Sequence, residues 1–187
     1  AGGDLGEMYV KIGNLEKARH HLEESLAIDR KHFSEDHVYM AEIFAHFAVL
    51  HLKEGDYKKA KEFFQKALGP IEETYGKDHV EAGYILKGLG EVAILEGDFD
   101  QSGDHLKRAL LIFQKYTHPE LYLVLEALSD RSRQKALTAK AKGDQQGHEK
   151  FQKKAEAYLK KALEHVNTHF PTDSPHLRRL QDKVISN

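Results

Sequence analysis

The sequence predicts an all-α chain folded as a right-handed α-solenoid of stacked antiparallel helix hairpins, about four hairpins followed by a C-terminal helix. Three observations carry this. Gly13, Gly55 and Gly97 recur at intervals of 42 residues, and the columns Ala18, Ala60, Ser102 and Leu22, Phe64, Leu106 and Leu26, Leu68, Leu110 hold the same period. Apolar residues between those glycines recur three and four apart, as in Phe44, Phe47, Ala48, Leu52 and then Ala60, Phe63, Phe64, Ala67, Leu68, which is helical spacing without strand alternation. A second recurring element, Asp36-His37-Val38, Asp78-His79-Val80, Thr117-His118-Pro119 and Asp173-Ser174-Pro175, supplies side chains that accept from free first-turn amides and prolines that give up an amide without a partner. One hairpin cannot bury its apolar face alone, so the units must stack.

A single solenoid domain is expected over 1–187. The first unit, about 1–35, enters through Ala1-Gly2-Gly3 and a first helix shorter than the later ones. With no initiator Met before it, the chain reads as an excised or processed portion of a longer protein. In the second unit, 36–77, Asp36 is expected to start a helix that stops at Gly55, and Gly69-Pro70 falls inside the second helix, where loss of an amide predicts a kink or break. In the third, 78–116, Asp78 and Glu81 form a capping box, as do Thr117 and Glu120 at the start of the fourth.

The fourth unit, 117–172, departs from the period. His118 to Gly143 spans 25 residues where His37 to Gly55 spans 18, and Gly143 to Ala155 spans 12 where Gly55 to Ala60 spans 5, so each arm is longer by seven, close to two helical turns. The expectation is a hairpin protruding by about 10 Å, with Gly143-Asp144-Gln145-Gln146-Gly147 as its tip; the alternative is a disordered insertion on each side of Gly143. The segment 173–187 reads as a final helix, with Leu177, Leu180 and Val184 on one side, serving as a cap or as the first helix of a fifth repeat. Small residues Gly6, Ala48, Gly90, Ala60, Ala67 and Ala109 mark close helix approaches, against the large Leu5, Phe47, Leu89, Phe64 and Leu106. Each large side chain contributes roughly 1.5 to 3 kcal/mol on full burial.

These residues carry a family resemblance. Gly55-Asp56-Tyr57-Lys58-Lys59-Ala60 followed by Phe64 and Ala67-Leu68 resembles a tetratricopeptide repeat, and the 42-residue period with Asp-His-[Pro/Val] helix starts resembles the long-helix variety of kinesin light chains. The resemblance covers nearly the whole chain and implies a superhelical binding scaffold, a fold that serves many unrelated assemblies. Members of that family that grip acidic peptides carry paired asparagines where this chain has Ala45-His46 and Lys87-Gly88. Cargo specificity and motor partners therefore do not carry over.

Chemistry is sparse. The chain has no Cys, which removes disulfides, thiolate zinc sites and thiol nucleophiles. No apolar run approaches the length of a membrane span, and a soluble, cytoplasmic protein is expected. Of the 13 histidines, His46 and His51 diverge on a helix, and His165 and His169 lack the carboxylate of a zinc-protease pattern. Gly88-Leu89-Gly90 lies in a repeat helix with no strand before it, so it is not a dinucleotide loop. No catalytic residue, metal or cofactor is assigned, and the protein is read as no enzyme.

Function must then come from shape. First helices of successive hairpins are expected to line a concave groove that takes a peptide. The groove-facing candidates are Glu42, Ala45, Val49 and Lys53, then Tyr84, Lys87, Glu91 and Ile94, then Leu123, Glu126, Asp130 and Arg133. The acidic members make a peptide bearing basic residues at least as fitting as an acidic one. Residues 1–128 carry 15 basic and 23 acidic side chains, whereas 129–161 carry 10 and 4, so the long hairpin is a basic element on an acidic body. Its candidate contacts are Lys140, Lys142, Lys150, Lys153 and Lys154, with Arg131, Arg133, Lys135, Lys160 and Lys161 in the same stretch. The leading expectation is a non-catalytic scaffold or adaptor that binds a protein or peptide through the groove, the hairpin, or both. The alternative is a regulatory sensor segment responding to a peptide or adjoining domain. Binding of nucleic acid or an anionic surface ranks below both, because few exposed aromatics accompany the cations. Open solenoid ends also allow self-association.

Overall fold

The computed structural model describes residues 2–185; Ala1, Ser186 and Asn187, at the ends of the expected first and last elements, lie outside them. The described residues form helices only, paired as α1 (Gly2–Lys11) with α2 (Leu15–Asp29), α3 (Val38–Glu54) with α4 (Tyr57–Tyr75), α5 (Val80–Glu96) with α6 (Phe99–Lys115), and α7 (Leu121–Ala141) with α8 (Gln145–His169), followed by α9 (Pro175–Ile185). Each hairpin turns at a glycine with positive φ, Gly13 at 80°, Gly55 at 81°, Gly97 at 79° and Gly143 at 74°, a backbone region that side chains with a Cβ resist. The next residue caps the second helix in all four: Asn14, Asp56, Asp98 and Asp144 accept from the backbone N–H three residues on, at 3.1, 3.2, 3.0 and 2.8 Å.

First helices are capped differently from the expectation. The acceptor is the histidine of each Asp-His or Thr-His pair: Nδ1 of His37, His79 and His118 takes the N–H of Tyr39, Glu81 and Glu120 at 3.2, 3.3 and 3.2 Å. His37 and His79 sit in extended backbone at the N-cap itself, so Asp36 and Asp78 fall one residue too early. Neither capping box forms, and Thr117, at φ 46°, is a turn residue. Ser174 does start α9, accepting from His176 N–H at 3.2 Å.

Helix α4 runs unbroken through Gly69 and Pro70. Beyond the proline, Ile71 is buried in the core, and its packing holds the last turn against the loss of about 3 kcal/mol that an interior proline brings. The long hairpin is helical on both arms, with no disordered insertion beside Gly143. Gln145, Gln146 and Gly147 belong to the first turn of α8, so the tip narrows to Lys142, Gly143 and Asp144.

Each core cluster is shared between a hairpin and the first helix of the next. Val10, Ala18 and Leu22 pack with Ile43, Phe47 and Leu50; Phe44, Ala60, Phe64 and Ile71 with Ile85, Leu89 and Val92; Leu86, Leu106, Ile112 and Phe113 with Val124 and Leu128; Tyr122, Leu125, Leu159 and Val166 with Leu177 and Leu180. Leu5 does not join a core: it is 44% exposed, as is Met8, whereas Phe47 and Leu50 one period later are 4% and 0%. That column packs on the preceding hairpin, and none stands before α1 among the described residues. At the other end α9 buries Leu177 and Leu180 and leaves Val184 exposed.

Candidate functional site

Successive first helices touch one another, α1 with α3, α3 with α5 and α5 with α7, while no two second helices among the described residues do. A stack whose members converge on one side is curved toward that side, so α1, α3, α5 and α7 line the concave face. Close approach of α5 depends on its glycines. A Cβ on Gly83 would stand 2.6 Å from the Phe113 ring and one on Gly90 2.6 Å from Leu106, while Gly88 lies directly against the ring of Phe64.

Most of the apolar groove candidates are half-buried and committed to packing. Ala45 and Val49 pack against the second core cluster, Tyr84 and Ile94 against the third, and Leu123 against the last. Lys53 is exposed. Tyr75 donates its hydroxyl to Glu42 at 2.8 Å, and Tyr84 donates to Glu120. Lys87 and Glu91 pair with each other at 2.7 Å along α5. Glu126 is 7% exposed and is taken by α9: Arg179 grips it through both guanidinium nitrogens at 2.5 and 2.6 Å and Lys183 adds a third bond at 3.0 Å. Asp130 holds Lys183 at 2.8 Å and Arg133 at 3.6 Å. The helix after the fourth hairpin thus occupies the acidic end that the fourth unit was expected to offer. Burial alone would raise the Glu126 carboxyl, but the bonds from Arg179 and Lys183 hold it below the usual glutamate value.

The structure adds residues that the spacing argument passed over. Glu7 on α1, Glu42 on α3, Glu81 on α5 and Glu120 at the start of α7 share one electrostatic neighbourhood with Lys11. Surrounding protein atoms displace water from the Glu81 carboxyl and push its pKa up although the residue is exposed; His79 opposes the rise, and Glu42 and Glu7 add to it. His46 lies among Glu7, Asp4, Glu42 and Lys11, and burial lowers its pKa. Glu7 was within reach of sequence reasoning, since it stands one period before Val49 and two before Glu91. Glu81 and Glu120 were assigned to capping boxes, which hid their place on the face.

The basic candidates lie on the long hairpin, and Lys140, Lys142, Lys150, Lys153 and Lys154 are all exposed. A shallow cleft of about 310 Å³ is lined by Gln114, Leu121, Leu125, Lys161, His165 and His169 among others. His165 Nε2 is held 2.9 Å from the Pro119 carbonyl oxygen and His169 Nδ1 2.9 Å from that of His165, so these rings serve backbone contacts. Among the described residues no three His, Asp or Glu side chains converge to hold a metal, and no helix is long and apolar enough to cross a membrane.

Comparison with known proteins agrees with this geometry. The tetratricopeptide repeat family model matches residues 2–69. No curated protein matches in sequence. Among solved structures, the nearly identical TPR-like repeats of a Podosopora anserina kinesin light chain superpose with a TM-score of 0.62 at 17% identity, covering 99% of this chain and 82% of that one. A point variant of the same repeats superposes with a TM-score of 0.64 at the same identity and coverage. BtubC (BKLC) from P. vanneervenii gives a TM-score of 0.51 at 19% identity over 91% of this chain and 81% of that one.

Proposed function

We propose that this chain, a helical solenoid that the tetratricopeptide repeat model matches over residues 2–69 and whose fold is similar to the repeats of kinesin-light-chain-like proteins, is a non-catalytic scaffold whose concave face binds a peptide segment of a partner protein bearing Lys or Arg. The observation that carries this is the gathering of Glu7, Glu42, Glu81 and Glu120 from four successive first helices onto one face. Of the cations there, Lys11 is paired with Glu7 at 2.8 Å and Lys87 with Glu91, so the surplus charge is negative. Crowded carboxylates between low-dielectric walls focus a potential that draws a cationic segment and orients it. The half-buried side chains of Ala45, Val49 and Tyr84 supply apolar contact between the charges. Tetratricopeptide repeats mediate protein–protein contacts, and repeat stacks present such faces to extended or helical peptides.

Selection of a peptide-display library tests the reading. Peptides enriched in Lys and Arg should be retained by the intact domain and lost by a Glu42→Lys, Glu81→Lys variant that still melts cooperatively. A library that shows no positive enrichment, or equal recovery by both proteins, would remove the groove as the binding surface. A Lys87→Glu, Glu91→Lys exchange, which preserves net charge, separates position from charge.

A further inference from the structure

The electrostatic link between hairpins repeats twice and then inverts. Arg19 on α2 pairs with Glu54 on α3 at 2.6 Å, and one period later Lys61 on α4 pairs with Glu96 on α5 at 2.7 Å. At the third step the cation's position is Gly103, and the carboxylate's is Lys135, which stands 17 residues after His118 as Glu54 and Glu96 stand after His37 and His79. Leu50 and Val92, buried in the same two steps, are followed in their column by Arg131. Three replacements at one junction turn a neutral seam into a cationic one.

The side chains are held in place. Arg131 Nε donates to the Phe99 carbonyl at 2.8 Å, and its guanidinium lies over Gly103, where a Cβ would come 2.7 Å from Nη2. Lys135 Nζ lies 4.8 Å from the centre of the Phe151 ring on α8. Arg131, Lys154 and Lys150 all act on Lys135 as like charges while Asp100 opposes them, and partial burial with these neighbours lowers the Lys135 pKa. No carboxylate lies in ion-pair range of Arg131, Lys135, Lys150 or Lys154 among the described residues. Gathering partly desolvated like charges costs free energy in the isolated chain, and an incoming anion recovers it.

The place of this cluster selects the anion. Both arms of α7–α8 run past the level of the Gly97 turn by roughly six or seven residues, about 10 Å, so the cluster sits at the foot of a step. A flat lipid surface meets the tip before the foot, and Lys135 covers the Phe151 ring on which a nucleobase would stack. We propose that the step between hairpins α5–α6 and α7–α8 docks an extended acidic segment of a partner protein, with one Asp or Glu side chain entering between Arg131 and Lys135. This rests on the reading of the domain as a protein-binding module, but on a surface separate from the groove.

A fluorescein-labelled decapeptide alternating Glu and Gly, titrated by fluorescence polarisation in low salt, tests it. Lys135→Glu should weaken binding at least tenfold and also raise the melting temperature, because the new carboxylate pairs with Arg131 and restores the repeat. Lys142→Glu at the tip should change binding less than twofold, and the groove variant Glu42→Lys, Glu81→Lys should bind the acidic peptide undiminished. Unchanged binding by Lys135→Glu, a melting temperature that falls, or tighter binding of a ten-nucleotide RNA or of phosphatidylserine vesicles would overturn the assignment. Loss of basic-peptide selection alone bears only on the groove.

Discussion

Leu106 lies against the backbone of Gly90 so closely that a Cβ on that glycine would stand 2.6 Å from Leu106 Cγ. The same relation holds earlier in the stack between Gly6 and Leu22, at 2.5 Å. Glycine there sets the distance between the two helices of a hairpin, and that distance sets how the next hairpin seats.

Gly90→Ala should destabilise the protein by about 1 to 2 kcal/mol, the overpacking cost less the helix preference of alanine. Gly69, also in a helix, meets nothing beyond its chain neighbours within 4 Å of a built Cβ, and the crowding of that Cβ by Pro70 offsets the helix preference of alanine, so Gly69→Ala should change stability by less than about 0.5 kcal/mol. Urea unfolding should therefore put the midpoint of Gly90→Ala well below the parent's and leave that of Gly69→Ala near it.

His79→Ala removes the acceptor for Glu81 N–H and should cost about 1 kcal/mol. His79→Asn, with an oxygen of similar reach, should recover most of it. Equal losses for both in thermal melts would show that the ring matters through its contact with Tyr75, at 4.8 Å between ring centres, and not as a cap.

Glu126→Gln breaks the charged grip on Arg179 and Lys183. Because Arg179 remains half exposed, the expected loss is about 1 to 2 kcal/mol, below that of a fully buried pair. Amide exchange should quicken in α9 and stay unchanged in α3 and α4. The Glu126 pKa is depressed, so its contribution is present above the ordinary glutamate pKa and is lost as pH falls through the lower folded value.

His46, His51, His105 and His165 have pKa values lowered, in each case chiefly by burial. The unfolded chain therefore takes up protons that the folded one refuses, starting near the ordinary histidine value of about 6.5. Stability should be full above that pH and fall below it, by on the order of 1 kcal/mol per pH unit for each net proton. His46→Gln should flatten the slope between pH 6.5 and 5.5 in urea titrations. An identical slope would assign the effect to the other three.

Gly13, Gly55 and Gly97 with their columns made the hairpins legible because each repeat meets nearly the same neighbours, so one period of sequence is one period of structure. Helices, turns, stacking order and the basic character of the fourth hairpin could all be read from local spacing and composition. Other features needed the folded chain. Histidine rather than aspartate caps the first helices, α9 takes Glu126 across 53 residues, acids from four helices meet on one face, and Arg131 and Lys135 share a step without a paired carboxylate. The histidine caps turn on local backbone geometry, since each ring accepts the amide two residues on; the other three depend on which side chains from distant segments arrive within bonding range, as where Gly103 leaves room for the Arg131 guanidinium, and only the packed chain decides that.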